Sequence, residues 1–136
     1  MILIVGFCNV FGGRILTIKK ILIVDDNKVF LSELAQSLGA FAWRFQAVTA
    51  ENGEKALAVL ESEHVDLVVT DLKMPVMDGF EFLSHMRKTY PDIPVIVMSA
   101  FLDPDVEIKL RSMGVTRCIE KTDVEKMVPM ILSNLD

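Results

Sequence analysis

The chain alternates strictly between short apolar runs and longer segments with helical spacing, and this alternation limits its fold more than any other feature. Five runs rich in apolar residues lie at 21–24, 45–49, 65–70, 94–98 and 116–120. A segment with apolar residues three and four positions apart follows each run. Strands joined by right-handed helical crossovers pair in parallel and carry helices on both faces. The sequence therefore predicts an α/β fold with a doubly wound, five-stranded parallel sheet.

Polar and glycine residues predict several of the helix ends. Asn27 is placed to cap the first helix, and Gly39 is a typical stop. Thr122, followed three residues later by Glu125, has the pattern of a capping box for the last helix. Gly114 is expected to close the fourth helix. These signals depend only on neighbouring residues, and they mark ends of the first, fourth and last helices.

Residues 1–18 stand apart from this pattern. They are apolar, and Gly12 and Gly13 between two β-rich stretches predict a hairpin that adds an edge strand or an oligomer contact. An extension that is not native to the protein is the alternative. The run has no basic residue before Arg14, unlike a secretory signal, and it is shorter than the roughly 20 residues of a spanning helix. We therefore divide the chain into an extension, 1–18, and one domain, 19–136.

Charge and cysteine content narrow the classes of function. The 136 residues carry a net charge of −5 and no cluster of Lys or Arg, so direct nucleic-acid binding is not expected. Cys8 and Cys118 lie far apart and have no metal-ligand spacing. Reduced thiols in a cytoplasmic protein that does not enter a membrane are the expectation.

Polar residues follow four of the five predicted strands. Asp25 and Asp26 follow the first, Asp71 the third, Ser99 the fourth and Lys121 the fifth. In a parallel sheet these strand ends share one edge, where ligands bind in open α/β folds. The sequence therefore predicts that these side chains form a single site.

Carboxylates predominate in this set, and their chemistry suggests phosphoryl transfer. Crowded carboxylates repel one another, and a hard divalent cation relieves the repulsion. Mg²⁺ suits a few carboxylates combined with waters and phosphate oxygens. With Lys121 also neutralising phosphoryl oxygens, the central Asp71 would attack phosphorus and form an acyl phosphate. Ser99 would then hydrogen-bond a phosphoryl oxygen.

The chain resembles the receiver domain of two-component response regulators, including the chemotaxis-type single-domain receivers. The resemblance covers about residues 19–135 and rests on Asp25-Asp26, the segment from Asp71 to Gly79 (DLKMPVMDG), Ser99-Ala100 and Lys121. It implies the flavodoxin-like receiver fold, with Asp71 as acceptor of a phosphoryl group from a sensor histidine kinase or phosphotransfer protein. It also implies that Asp26, Asp71 and the Lys73 carbonyl bind Mg²⁺ with help from Asp25, and that Ser99 and Lys121 contact the phosphoryl group.

Two positions depart from the family pattern. Cys118 stands where receiver domains usually have the aromatic residue that moves on activation. Thr122 stands where a proline, often in a cis bond, commonly follows the lysine. A cis bond without proline costs about 2.5–4 kcal/mol, so we expect a trans bond after Lys121. Phe101 lies where receiver domains tune loss of the phosphoryl group, and we expect Phe101 and the Lys73 side chain to restrict attacking water.

The leading interpretation is a phosphorylation-dependent switch, read by a downstream protein or an output domain, and not a conventional enzyme. A Mg²⁺-dependent phosphohydrolase with an aspartyl nucleophile is one alternative, although Lys73 occupies the position where a second acid would be wanted. An interaction module that works without phosphorylation is the other alternative, and Cys118 and Thr122 give it weight. The sequence leaves open a homodimer, and both a stand-alone regulator and one domain of a larger protein.

Overall fold

The structure is a computed structural model and describes residues 8–11, 14–41 and 44–135. Its strands are β1 (Cys8–Phe11), β2 (Arg14–Thr17), β3 (Lys19–Val24), β4 (Phe45–Ala50), β5 (Leu67–Asp71), β6 (Val95–Ser99) and β7 (Arg117–Glu120). Its helices are α1 (Lys28–Gly39), α2 (Gly53–Ser62), α3 (Gly79–Thr89), α4 (Pro104–Ser112) and α5 (Val124–Leu132). Strand and helix alternate from β3 to α5, as the apolar runs predict.

The five strands β3 to β7 form one parallel sheet in the order β4-β3-β5-β6-β7. The chain moves outward from β3 to β4, returns to β5 on the other side of β3, and continues to β7. The point of reversal lies between β3 and β5, whose carboxyl ends are the expected place for a ligand. The predicted fold class is confirmed.

Helices cover both faces of the sheet, and each face has its own hydrophobic core. On one face, Leu22 and Val68 pack with α2, α3 and α4. On the other face, Ile23 and Val69 pack with α1 and α5. Adjacent strand residues point to opposite faces, so strands covered on both sides need a nearly continuous apolar sequence. This requirement explains the apolar runs from which the strands were predicted.

The helix ends agree with the sequence in part. The Asn27 side chain caps α1 by accepting from the Phe30 N–H at 3.1 Å. Gly114, with φ +79°, follows the end of α4 as expected. The capping box at Thr122 is wrong, because α5 begins at Val124 after Asp123, and Asp123 makes no side-chain cap hydrogen bond. The segment between β7 and α5, which contains Lys121, is therefore longer than the predicted cap at Thr122 would give.

Strands β1 and β2 pair antiparallel with each other, with Phe11 opposite Arg14. They form a separate two-stranded sheet and do not extend the five-stranded one. The predicted turn residues Gly12 and Gly13 lie outside the described residues. β2 is joined through Ile18 to the amino end of β3.

Candidate functional site

Asp25 lies directly after β3 and is fully buried, whereas the next residue, Asp26, is exposed. Asp25 Oδ1 accepts a 2.9 Å hydrogen bond from the Asn27 N–H, and Oδ2 pairs with Lys121 Nζ. Burial raises the pKa of the Asp25 carboxyl, while the hydrogen bonds from Lys121 and Asn27 oppose that rise. The acidic pair therefore offers one enclosed carboxylate and one that faces solvent.

Asp71 ends β5, between the other strand ends of the site. Its Oδ1 accepts from the Leu72 N–H at 2.7 Å, and its Oδ2 accepts from Lys121 Nζ at 3.2 Å. Its side chain keeps 13% of its surface exposed. Both Asp71 oxygens therefore accept a hydrogen bond, and part of the side chain remains open to solvent, as an attacking carboxylate requires.

Lys121 follows β7 and joins the two strand ends through its ammonium group. Burial alone would lower the pKa of Lys121, but the hydrogen bond to Asp25 and the charges of Asp71 and Asp25 raise it above its ordinary value. The described residues contain no cis peptide bond, so the bond after Lys121 is trans, as expected for Thr122. The lysine is therefore charged and aimed at the acidic cluster.

Ser99 ends β6 and is buried, with its hydroxyl engaged by the loop that follows. Ser99 Oγ donates to the Phe101 carbonyl at 2.9 Å and accepts from the Phe101 N–H at 3.3 Å. These contacts turn the loop back on the strand and leave the Phe101 ring 75% exposed. The hydroxyl on which the prediction relied is therefore at the site but bonded to its own loop.

The acidic side chains meet closely enough to share a cation. One oxygen from each of Asp25, Asp26 and Asp71 lies within 4.8 Å of the others. An octahedral Mg²⁺ places opposite ligand oxygens about 4.2 Å apart, so small adjustments would bring these oxygens into one coordination shell. A hard-oxygen donor set at this spacing fits Mg²⁺.

A cavity of about 800 Å³ opens over this cluster. Asp26, Asp71, Ser99 and Lys121 line its polar end. Phe80 and other apolar residues line the rest, including Met74, Phe101 and Val106. The site is therefore accessible from outside and bounded by the loops after β5 and β6.

The loop from Leu72 to Asp78 is held tightly against the end of β5. A Cβ at Gly79 would come within 2.7 Å of Leu72 Cα, so only glycine allows α3 to begin so close to the strand. Within the loop, Val76 has φ 70°, and the Met77 N–H donates to the Pro75 carbonyl at 2.8 Å. Lys73 lines the cavity with its side chain exposed.

Cys118 lies away from the cavity lining that the structure describes. Its half-buried side chain packs into the core on the α2, α3 and α4 face. Burial raises the pKa of the Cys118 thiol, the nearby Glu107 adds to the rise, and Arg111 opposes it. Cys118 therefore faces α4, and any effect on the site would pass through that helix.

Sequence reasoning missed one neighbour of the site. The Phe30 ring on α1 lies beneath Lys121, with 4.3 Å from Lys121 Nζ to the ring centroid. Phe30 has the spacing of an ordinary core residue of an amphipathic helix. No local signal indicates that its ring also meets a lysine from a distant strand end.

A parallel α/β sheet with three aspartates and a lysine at its carboxyl edge fits a phosphoacceptor signalling domain. A family model described as the response regulator receiver domain matches residues 21–132. The chain belongs to the receiver domain family of two-component response regulators. Domains of this family accept phosphoryl groups as signals and are not classical enzymes.

Two curated relatives and one solved structure illustrate the match. Sporulation initiation phosphotransferase F of Bacillus subtilis is 34% identical over 113 residues, 80% of this chain and 87% of that protein. Transcriptional regulatory protein GlrR of Escherichia coli is 40% identical over 80 residues, 59% of this chain and 18% of that protein. Response regulator protein TrrA of Thermotoga maritima, solved in complex with Mg²⁺-BeF, is 28% identical with TM-score 0.75, covering 88% of this chain and 100% of that one.

The chain corresponds to less than a fifth of the length of the first curated relatives, which include GlrR and the sensor histidine kinase RcsC of Escherichia coli. Receiver domains occur as parts of both kinds of protein. Among the described residues, no helix combines the length and apolar character needed to cross a bilayer. The cytoplasmic location stays a prediction from the sequence.

Proposed function

We propose that this chain is the phosphoacceptor switch of a two-component phosphorelay and that Asp71 accepts the phosphoryl group. The observation that carries this proposal is the position of Asp71, between Asp26 and Lys121 and open to the cavity. A carboxylate in these surroundings is held by one oxygen while the other faces a charged partner that can move. The division between residues 1–18 and the domain from 19 to 136 is part of the proposal.

The cation that fits this site would be held by Asp26, Asp71 and the Lys73 carbonyl. Asp25 would assist through water, because its oxygens are already engaged by Asn27 and Lys121. Bound Mg²⁺ would neutralise phosphoryl oxygens during transfer. TrrA, a structural relative, was solved in complex with Mg²⁺-BeF, which supports a magnesium site in this chain.

In the proposed transfer, an Asp71 carboxylate oxygen attacks phosphorus of a phosphohistidine on a sensor histidine kinase or phosphotransfer protein. A phosphorus–oxygen bond forms, the phosphorus–nitrogen bond breaks, and the imidazole leaves with the electron pair and takes a proton. Lys121 turns from Asp71 Oδ2 toward a phosphoryl oxygen and stabilises its charge. Within this chain, Asp71 is the group that changes covalently, and the donor histidine returns to its free form.

The response to phosphorylation would begin at Ser99. If its hydroxyl turns to a phosphoryl oxygen, the 2.9 Å bond to the Phe101 carbonyl is lost and the loop after β6 is released. That loop leads into α4, so the change would reach the surface formed by α4, β7 and α5, where a downstream protein would bind. Cys118 packs beneath α4, and it takes the place of the usual aromatic switch residue.

The lifetime of the phosphoryl group would depend on two side chains at the cavity. Phe101 is exposed at the rim and Lys73 lies opposite in the loop after β5. Because both line the cavity, they would limit the approach of water to Asp71. Rapid hydrolysis that Phe101→Ala leaves unchanged would count against this role.

Incubation with Mg²⁺ and acetyl phosphate, followed by intact mass, tests the proposal. The chain should gain the mass of one phosphoryl group, and Asp71→Asn should abolish the gain. Asp92→Asn is the matched control, because Asp92 is an exposed aspartate at the opposite edge of the sheet. Phosphorylation of the Asp71→Asn variant to the same extent would refute the assignment.

An interaction module that works without phosphorylation is the second candidate, and the Cys118 and Thr122 departures favour it. Folded protein that gains no mass with Mg²⁺ and acetyl phosphate would support this candidate. A phosphohydrolase is disfavoured by Lys73, which stands where a second acid is required. Sustained turnover of a small phosphate ester would be needed to restore it.

A further inference from the structure

In the described part of the chain, the ammonium group of Lys121 contacts two carboxylates and one aromatic ring. It pairs with Asp25, lies 3.2 Å from Asp71 Oδ2, and stands 4.3 Å from the centroid of the Phe30 ring. A cation over the face of an aromatic ring is attracted by the ring quadrupole. Phe30 therefore contributes an interaction with the functional lysine and not only packing.

Contacts at the start of α1 connect the Phe30 ring to Asp25 and Lys121. The Asn27 N–H donates to Asp25 Oδ1 at 2.9 Å, and Asn27 Oδ1 accepts from the Phe30 N–H at 3.1 Å. The Phe30 ring contacts Lys121, and Lys121 returns to Asp25. The cap of α1 thus sets the ring, the lysine and the buried carboxylate relative to one another.

Phe30 differs from the carboxylates in what happens to it during phosphoryl transfer. Asp71 becomes part of an acyl phosphate, so its attraction for Lys121 changes during the reaction. The Phe30 ring is neutral and takes no part in the reaction, so its attraction for the ammonium does not depend on the charge of Asp71. A lysine side chain has high rotamer entropy, and a fixed neighbour reduces the conformations open to it.

We propose that Phe30 is a positioning residue for phosphoryl transfer, which holds the Lys121 ammonium over the acceptor by a cation–π contact. This inference rests on the proposed function of Asp71 and adds a residue outside the acidic cluster. It predicts that the ring matters through its π face and not through its volume alone.

The test compares substitutions that separate these two properties. Phe30→Leu keeps an apolar side chain in the core but removes the ring, whereas Phe30→Tyr keeps the ring. At saturating Mg²⁺ with acetyl phosphate, Phe30→Leu should slow phosphorylation about three- to tenfold without changing the half-saturating Mg²⁺ concentration. Phe30→Tyr should stay close to the rate of the unmodified chain.

A double-mutant cycle with Lys121→Gln shows whether the effect passes through the lysine. In the Lys121→Gln background, Phe30→Leu should cause no further slowing. An equal loss in both backgrounds would overturn the inference and assign Phe30 to packing alone. A shift in the Mg²⁺ dependence of Phe30→Leu would likewise overturn it, because the ring does not touch the proposed metal ligands.

A second measurement does not depend on phosphorylation. The ring current of Phe30 should shift the NMR signals of the Lys121 ε-methylene protons upfield, and Phe30→Leu should remove the shift. Absence of the shift in the unmodified chain would overturn the inference. If the shift is present but the chain accepts no phosphoryl group, the proposed function fails while the contact stands.

Discussion

Arg87 makes the most extensive side-chain contacts to backbone carbonyls in the described part of the molecule, and its removal gives a quantitative test of the fold. Its Nε donates to the Met113 carbonyl at 3.2 Å and its Nη2 to the Gly114 carbonyl at 2.7 Å. Its Nη1 donates to the carbonyls of Ile93 at 2.7 Å and Pro91 at 3.1 Å. One guanidinium therefore joins the loop before β6 to the turn after α4.

The cost of Arg87→Met follows from which carbonyls can recover water. Pro91 and Gly114 are exposed, so their carbonyls can be rehydrated. Ile93 and Met113 are half-buried, so their carbonyls would lose a hydrogen bond that water replaces only in part. A hydrogen bond to a charged group contributes about 1.5–3 kcal/mol, so two effective bonds give a loss of roughly 3 kcal/mol.

Urea denaturation followed by circular dichroism measures this loss as a change in the free energy of unfolding. Arg117→Met is the control, because Arg117 lies exposed on β7 and should change stability by less than about 0.5 kcal/mol. Arg87→Lys should recover less than half of the loss, since an ammonium cannot reproduce the planar fork. A loss for Arg87→Met no larger than that of the control would refute the reasoning.

Three further predictions concern the loop after β5 and the thiol. Val76→Gly should stabilise the chain by about 0.5–1 kcal/mol, because the φ of 70° at Val76 is strained for a branched residue and its side chain, 75% exposed, contributes little packing. An unchanged thermal midpoint would contradict this. Gly79→Ala should destabilise the chain by at least about 2 kcal/mol and also slow phosphorylation, because the added Cβ displaces the end of β5. Gly39→Ala is the control, because a Cβ at Gly39 would meet no atom within 4 Å. The raised pKa of Cys118 should make its alkylation slower in the folded chain than in urea at pH 8, and equal rates would contradict the burial.

The raised pKa of the Cys118 thiol also predicts how the stability of the chain depends on pH. The folded pKa of Cys118 is raised, so the thiol supports folding below the unfolded pKa, and this support is lost as pH rises through the folded pKa. The contribution of Cys118 to stability should therefore fall as pH rises above the ordinary pKa of a cysteine thiol. Cys118→Ala should make the free energy of unfolding depend less steeply on pH in this range. At lower pH the dependence should be unchanged.

The sequence by itself determined the architecture of this protein. Strands covered on both faces require continuous apolar runs, and helices between them require apolar residues at helical spacing. Both patterns are local, so they can be recognised before any contact is known. The placement of Asp25, Asp71, Ser99 and Lys121 at one edge follows from the same patterns, because parallel strands end on the same side. Their roles in phosphoryl transfer remain predictions.

Tertiary structure alone decided which atoms those side chains meet. It placed Phe30 against Lys121, engaged the Ser99 hydroxyl with its own loop, and gave Arg87 its carbonyl partners in two loops. It also moved the start of α5 past Thr122, where the local pattern had predicted a cap. Such contacts join residues from different strands and helices, and their geometry is set by how the helices pack on the sheet. Propensity and spacing describe one segment at a time, so they carry no information about that packing.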